Sequence, residues 1–154
     1  EDGCTRIIER SEVDHGHALI MADLDRFKTT NDRYGHVAGD RVIVESVAGV
    51  VSAVRDDDLV GRVGGDEFMV CLRGISSHLM VEAVAQRMCA AVREAAEASD
   101  DDHGPVSISL GIALYPQDGV TYEELYRKAD KALYCAKRAG GGTYAFYRDE
   151  PAAS

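Results

Sequence analysis

Runs of apolar residues along the chain predict its strands. Residues 17–23 read HALIMAD, in which consecutive apolar residues end in an acid, a pattern typical of a strand buried on both faces. Two apolar runs rich in β-branched and aromatic residues lie between residues 59 and 70 and are separated by GGDE, which indicates a hairpin. Residues 105–116 alternate like a strand, and residues 143–147 form a last short one.

Helical periodicity predicts helices between these strands. Residues 25–40 are rich in turn formers and lead into a first helix. Serines at 76–77 cap a second helix, and residues 121–124 form the capping box of a third, which glycines at 140–142 end. The order β, α, β, β, α, β, α, β predicts an α/β fold of the α+β type, with helices packed on one mixed sheet. The apolar stripe of the first helix consists of Ile43, Val47, Val50, Val51 and Val54.

The predicted hairpin carries paired acids at its turn. Gly64 and Gly65 tolerate positive φ, so they fix Asp66 and Glu67 at an exposed tip. Asp23 supplies a third carboxylate if its strand lies beside the hairpin. Carboxylate oxygens suit a hard cation such as Mg²⁺, which leaves coordination positions for water and phosphate. The alternative is that the two acids are simply the polar end of a hairpin.

Composition and charge narrow the class of protein. The 154 residues suit one domain, and 45% hydrophobic with 29% charged residues is typical of a soluble globular protein. The net charge of -10 argues against a nucleic-acid partner. No apolar run is long enough to span a bilayer, so we expect a cytoplasmic domain without direct membrane contact. The four cysteines are widely spaced, which favours reduced thiols over disulfides or a structural metal.

Four ordered motifs carry a family resemblance. RVGGDEF at residues 62–68 resembles the signature of the GGDEF family, the diguanylate cyclases that condense two GTP molecules into cyclic di-GMP. The similarity continues through MADLDRFKTTNDRYGHVAGD (residues 21–40), SLGIA (residues 109–113) and KADKALYCAKRAG (residues 128–140). The resemblance implies one GGDEF domain over residues 1–154, with a five-stranded mixed sheet related to the palm of polymerases and nucleotide cyclases.

The resemblance also implies an active site. Asp23 and Asp66 match metal carboxylates with Glu67 beside them, and the expected cofactor is Mg²⁺ or Mn²⁺. Condensation requires a 3′-hydroxyl to attack an α-phosphate while pyrophosphate leaves, which a divalent cation assists. Asp66 and Glu67 are the candidate catalytic residues, and the sequence leaves open which of them receives the hydroxyl proton.

Substrate-binding residues follow from the same motifs. Asn31 and Asp40 match the guanine-reading positions, which predicts GTP as the substrate rather than ATP. Their alternatives are a turn residue for Asn31 and a helix cap for Asp40. The phosphate-binding residues implied by the resemblance are Arg26, Phe27 and Lys28, in a loop whose N–H groups cradle phosphates, and Lys137.

The resemblance implies two further properties. Because each domain binds one GTP, the active species is expected to be a homodimer, formed at least transiently. Arg55 and Asp58 form an R-x-x-D pair at the spacing of the family's inhibitory site for its product, cyclic di-GMP. The alternative for RDDD is a solvated acidic end of a helix.

Two departures from the family pattern keep other functions open. Gly141 and Gly142 stand where the family usually has arginine and asparagine, with Arg138 and Lys131 as candidate substitutes. The amino-terminal residues predict only a short helix before the strand at residues 17–23. An active cyclase is the leading hypothesis, and a GGDEF module that binds GTP or cyclic di-GMP without turnover is the main alternative. A cyclase that makes a monomeric cyclic nucleotide is disfavoured by the guanine pair and the hairpin.

Overall fold

The computed structural model describes residues 16–100 and 103–148, and these residues form a mixed five-stranded sheet with four helices. The strand order is β2-β3-β1-β4-β5, antiparallel throughout except for the parallel pair β4 and β5. The predicted sheet is confirmed. None of the described helices is long and apolar enough to cross a membrane. In chain order the elements are β1 Gly16–Leu24, α1 Phe27–Tyr34, α2 His36–Ala53, β2 Leu59–Gly64, β3 Glu67–Ile75, α3 His78–Glu97, β4 Ile108–Tyr115, α4 Tyr122–Arg138 and β5 Tyr144–Phe146.

The segment between β1 and α2 is a helix, so the prediction of a turn-rich connection there was wrong. Thr30 is buried and its backbone N–H and hydroxyl both donate to the carbonyl of Arg26, at 3.1 and 3.4 Å. Phe27 packs against the main core. Tertiary burial of these side chains outweighs the turn propensity of their neighbours. The predicted short amino-terminal helix lies outside the described residues.

Side-chain alternation along β1 divides the core into two layers. Ala18, Ile20, Ala22 and Leu24 pack with α2 and α3, whereas Leu19 and Met21 pack with α4. Successive side chains of a strand point to opposite faces, so Asp23 belongs to the series that faces α4. The fold therefore places the acid at the end of β1 on the same side as the helix that carries Lys137.

The buried face of α2 differs from the predicted stripe. Val51 is 51% exposed, whereas Val42 and Gly49 are buried. A Cβ at Gly49 would lie 3.1 Å from the carbonyl oxygen of Ala91 in α3, so this glycine lets the two helices approach closely. The close contact turns α2 away from the orientation that apolar residues alone predict. Its buried residues are Gly39, Val42, Ile43, Ser46, Gly49, Val50 and Ala53.

Three of the four cysteines lie in the described part of the chain, with Cys71 and Cys89 buried and Cys135 exposed. Cys71, Cys89 and Cys135 form no disulfide in the described part of the chain. Burial raises the pKa of the Cys89 thiol to about 11, so it stays protonated at neutral pH. Cys4 lies outside the described residues.

Gly111 fixes α4 directly against β4. A Cβ at this position would overlap the carbonyl oxygen of Ala129 and lie 2.7 Å from the Cα of Leu133. Because these are backbone atoms, the helix must move to accept a side chain. We expect Gly111→Ala to lower the free energy of unfolding by about 1–3 kcal/mol, measured by chemical denaturation. Gly61→Ala is the matched control, since its Cβ would meet nothing within 4 Å; an equal loss in both variants would contradict this packing role.

Candidate active site

The β2–β3 hairpin lies beside the end of β1 and brings the predicted acids together. Asp23 pairs with Glu67 in the β1–β3 register, and the N–H of Leu24 donates to the carbonyl of Asp66 at 3.2 Å. Of the two hairpin glycines only Gly65 has positive φ, at 53°, so the prediction was wrong for Gly64.

The acids at the hairpin are less exposed than the sequence predicts. Asp66 and Glu67 are half-buried, because Glu67 pairs with Asp23 of β1 and Asp66 lies in the turn directly before it. Arg62 steadies the turn, where its Nε donates to the carbonyl of Gly65 at 2.9 Å.

The side-chain ammonium of Lys137 lies close to three oxygens at the carboxyl end of β1. Its Nζ lies 3.1 Å from Asp23 Oδ2 and 3.5 Å from Asp25 Oδ1. It also lies 3.4 Å from the carbonyl oxygen of Leu24. The last turn of α4 thus places a cation where oxygens of successive residues converge. The role of the Leu24 carbonyl has no signal in the sequence, because it depends on backbone direction alone.

The surroundings of Asp23 disfavour the charged form of its carboxyl group. Burial and the adjacent Asp66 carboxylate raise the pKa of Asp23 to about 7, although Lys137 acts in the opposite direction. Its Oδ1 atom is buried and has no hydrogen-bond donor among the described residues. Two neighbouring carboxylates and a donorless buried oxygen form a set of acceptors that suits a divalent cation.

The predicted triad of metal ligands is only partly assembled. In residues 16–100 and 103–148, no three His, Cys, Asp or Glu side chains are grouped closely enough to hold a metal ion by themselves. Asp23 and Asp66 lie together, but Asp23 Oδ2 is engaged by Lys137. Mg²⁺ commonly uses one or two carboxylates and completes its shell with other oxygens. The residues present therefore fit such a cation through Asp23 and Asp66, with Glu67 next to Asp66.

Asp25 organises the loops around the site, a role that sequence reasoning missed. Its carboxylate accepts hydrogen bonds from the hydroxyls of Ser107 and Ser109, both at 2.6 Å, and from the N–H of Gly142 at 2.7 Å. Burial acts to raise the pKa of Asp25, but these donors outweigh it and hold the pKa below its usual range. Ser109 belongs to the SLGIA motif, which was the available signal.

The glycines after α4 pack closely against the carboxylate of Asp25. Gly141 has φ of 75° and Gly142 of 66°. A Cβ at Gly141 would lie 2.9 Å from Cγ of Asp25. Of the candidate substitutes for the missing arginine, Arg138 stacks over the ring of Tyr134 at 5.8 Å, and Lys131 is exposed on α4.

The amino end of α1 supplies backbone donors beside the acids. Arg26 precedes the helix with φ of 54° and ψ of 33°, and no side chain caps the helix. The first N–H groups of a helix lack intrahelical acceptors and suit an anion. Phe27 anchors this turn in the core, while Lys28 is exposed. A cavity of about 650 Å³ adjoins the turn, lined by residues that include Arg26, Arg93 and Gly140.

The predicted guanine-binding residues lie on neighbouring helices. Asn31 lies within α1 and Asp40 within α2, which begins after Gly35, so neither the turn nor the cap alternative describes them. Asn31 Oδ1 is buried and has no donor among the described residues. Asp40 is exposed.

Arg55 and Asp58 form a structured corner rather than a loose acidic end. The Asp58 side chain is 2% exposed and accepts from the N–H groups of Arg55 and Arg73, at 2.8 and 3.0 Å. Arg55 Nη2 donates to the carbonyl of Arg73 at 2.6 Å, while the Arg55 side chain remains 52% exposed. The guanidinium is therefore the accessible member of the pair.

Comparisons with known proteins agree on one family. The family model for the diguanylate cyclase GGDEF domain matches residues 4–143. Diguanylate cyclase TpbB of Pseudomonas aeruginosa is 40% identical over 126 residues, which are 82% of this chain and 29% of TpbB. Diguanylate cyclase A of Treponema denticola is 39% identical over 124 residues, which are 80% of this chain and 33% of that protein. The chain thus spans about a third or less of these relatives.

Solved structures give the same result. The GGDEF domain of PA1120 (YfiN or TpbB) from Pseudomonas aeruginosa has a TM-score of 0.89 at 34% identity, over 97% of this chain and 93% of that one. The GGDEF domain of DgcB from Caulobacter crescentus, in complex with c-di-GMP, has a TM-score of 0.83 at 25% identity, over 95% of this chain and 86% of that one. These neighbours share the palm-like cyclase fold. The chain belongs to the GGDEF family of diguanylate cyclase domains.

Proposed function

We propose that this chain is one catalytically active GGDEF domain, which condenses two GTP molecules into cyclic di-GMP and releases two pyrophosphates. The observation that carries the proposal is the grouping of Asp23, Asp66 and Lys137 at the carboxyl end of β1. Beside it lies the amino end of α1, which no side chain caps. Acidic groups for a metal and donors for phosphate thus adjoin one another, as nucleotidyl transfer requires.

Each part of the site has a role in the proposed reaction. The first N–H groups of α1, with Lys28 and Lys137, bind the triphosphate, and the adjacent cavity gives its terminal phosphates room beside Arg26. Asp66 or Glu67 accepts the proton of the attacking 3′-hydroxyl. A bound Mg²⁺ or Mn²⁺, held by Asp23 and Asp66, would neutralise the charge that develops on the phosphates. Asp25 keeps Lys137 and the glycine loop in place.

Guanine selection follows from two acceptors. The edge of guanine presents N1–H and N2 amino donors, which suit the carboxylate of Asp40 and the buried Oδ1 of Asn31. Adenine lacks this donor pattern and would leave both acceptors unsatisfied. The proposed substrate is therefore GTP, which implies a cytoplasmic setting for the reaction.

Two copies of the domain are needed for the reaction. Each copy holds one GTP, and the 3′-hydroxyl of each nucleotide attacks the α-phosphate of the other. The two sites must therefore face one another in a homodimer that forms at least transiently. The concentration of chain then controls the rate.

We propose that Arg55, with Asp58, binds the product. The exposed guanidinium can donate to a phosphate or guanine acceptor, and the buried Asp58 carboxylate holds the corner that presents it. The complex of DgcB with c-di-GMP supports product binding by such domains. Replacing Asp58 itself would remove the acceptor of two backbone N–H groups and so disturb the corner, which makes Arg55 the residue to change.

Arg55→Ala should weaken binding of cyclic di-GMP about tenfold or more, because a charged donor to the ligand is lost. Calorimetric titration of the parent and variant measures this affinity. Arg127→Ala, which removes an exposed arginine on α4, is the control. Equal binding by the parent and by Arg55→Ala would show that residues 55–58 have only a structural role.

A nucleotide sensor without turnover is the second candidate. It is favoured by Gly141 and Gly142, which remove an arginine that the family pattern places near the phosphates. Incubation with Mg²⁺ and GTP followed by chromatography separates the candidates. Cyclic di-GMP supports the enzyme, bound but unchanged GTP supports the sensor, and a monomeric cyclic nucleotide supports a different cyclase.

A further inference from the structure

Gly39 occupies a position where the backbone does not require glycine. It lies inside α2 between Ala38 and Asp40, and its φ is not positive. Glycine in the interior of a helix is less favourable than alanine, so a helix that keeps one usually needs the space. The space at Gly39 is already taken by a neighbouring side chain.

That side chain is the amide of Asn31. A Cβ added to Gly39 would overlap Asn31 Oδ1 and lie 2.9 Å from Asn31 Cγ. It would also come within 3.4 Å of Cζ of Phe27, one helical turn before Asn31. The absent side chain of α2 therefore lets the Asn31 amide lie directly against the residue that precedes Asp40.

The amide oxygen of Asn31 is an acceptor that a ligand can satisfy. Asn31 Oδ1 is buried without a donor in the described part of the chain. A buried acceptor is costly unless a donor reaches it, and the N–H edge of guanine supplies such a donor. Asp40, next to Gly39 in sequence, is exposed and offers the second acceptor.

We infer that Gly39 is a positioning residue for guanine recognition, acting through Asn31 by leaving room for its amide beside Asp40. This inference rests on the proposed function, since it concerns the same nucleotide site. A methyl group at residue 39 displaces the Asn31 amide, so the acceptor pair no longer matches the guanine edge. Affinity for GTP falls, and so does the preference for GTP over ATP.

The test is a double-mutant cycle with Gly39→Ala, Asn31→Ala and the double variant. Calorimetry with a GTP analogue whose bridge between the α- and β-phosphates cannot be cleaved gives dissociation constants, and steady-state kinetics separate KM from kcat. Gly39→Ala should raise the dissociation constant and KM about tenfold or more, with a much smaller change in kcat. Because Gly39 acts through Asn31, the double variant should bind as Asn31→Ala does, within about twofold.

Gly49→Ala is the matched control for a methyl group added inside α2. Its Cβ would press on the backbone of α3, so its melting temperature should fall while its affinity for the analogue stays at the parent value. If Gly39→Ala alone is too unstable to assay, the inference requires the double variant to recover the stability of Asn31→Ala.

Three outcomes are distinct. A parent that does not bind the analogue overturns the proposed function. A parent that binds it, with unchanged affinity in Gly39→Ala, overturns only the positioning role. Effects of the two substitutions that multiply in the double variant would likewise show that Gly39 acts independently of Asn31.

Discussion

Asp66→Asn should lower the rate of cyclic di-GMP formation about 100-fold or more, because it removes a carboxylate that stabilises charge in the transition state. The fold should survive, since Asp66 is half-buried at a hairpin and its structural hydrogen bond uses the backbone carbonyl. Removing one of two adjacent carboxylates also relieves repulsion with Asp23, so the melting temperature should stay the same or rise. Initial rates with saturating Mg²⁺ and GTP measure the effect.

Asp57→Asn is the control for this substitution. It makes the same chemical change at an exposed acid beyond the far end of β2 and should keep the parent rate. Asp23→Asn should lose activity as Asp66→Asn does, since both carboxylates belong to one group. Retained activity in a folded Asp66→Asn protein would remove Asp66 from the catalytic site.

Dilution of the parent protein should lower its specific activity over a wide range of protein concentration. When most chains are monomeric, the fraction in dimers falls in proportion to concentration, so a tenfold dilution lowers the specific activity about tenfold. The measurement is the initial rate at saturating GTP from micromolar to nanomolar protein. Constant specific activity over this range, with sedimentation showing only monomer, would contradict the two-domain mechanism.

Mixing parent with excess Asp66→Asn protein provides an independent check on the dimer. Mixed dimers contain one intact site, so they form the first phosphodiester bond but not the second. Cyclic di-GMP production should fall, and a linear dinucleotide should accumulate. Production that is unaffected by excess variant would show that one chain completes the reaction alone.

The positions of the strands along the chain were predictable from the sequence because apolar runs and alternating residues are local signals. The run HALIMAD became β1, and its consecutive apolar residues correctly placed Asp23 near the end of a buried strand. That this strand lies beside the hairpin was only a condition in the prediction, and the β1–β3 pairing meets it. Where long-range packing decides, the prediction was wrong. Burial of Phe27 and Thr30 made a helix from a turn-rich segment, and Gly49 set the orientation of α2 against α3.

At the candidate site, too, local sequence signals were informative and long-range contacts were not. Motif letters identified Asp23, Asp66 and Lys137 as candidates, and the fold brings them together. The contributions of the Leu24 carbonyl and of the Asp25 hydrogen-bond cluster depend on loop geometry and pairing between distant segments. Such contacts join residues far apart in sequence, so local patterns carry little information about them.

The stoichiometry of products tests the cyclase proposal most directly. The parent chain, at micromolar concentration with Mg²⁺ and GTP, should release about two pyrophosphates for each cyclic di-GMP formed, because each of two α-phosphates loses one. Chromatography with a pyrophosphate assay on the same samples gives both quantities. A ratio near two that persists through the time course is the predicted result, whereas GTP that stays intact although it binds the protein would contradict catalysis.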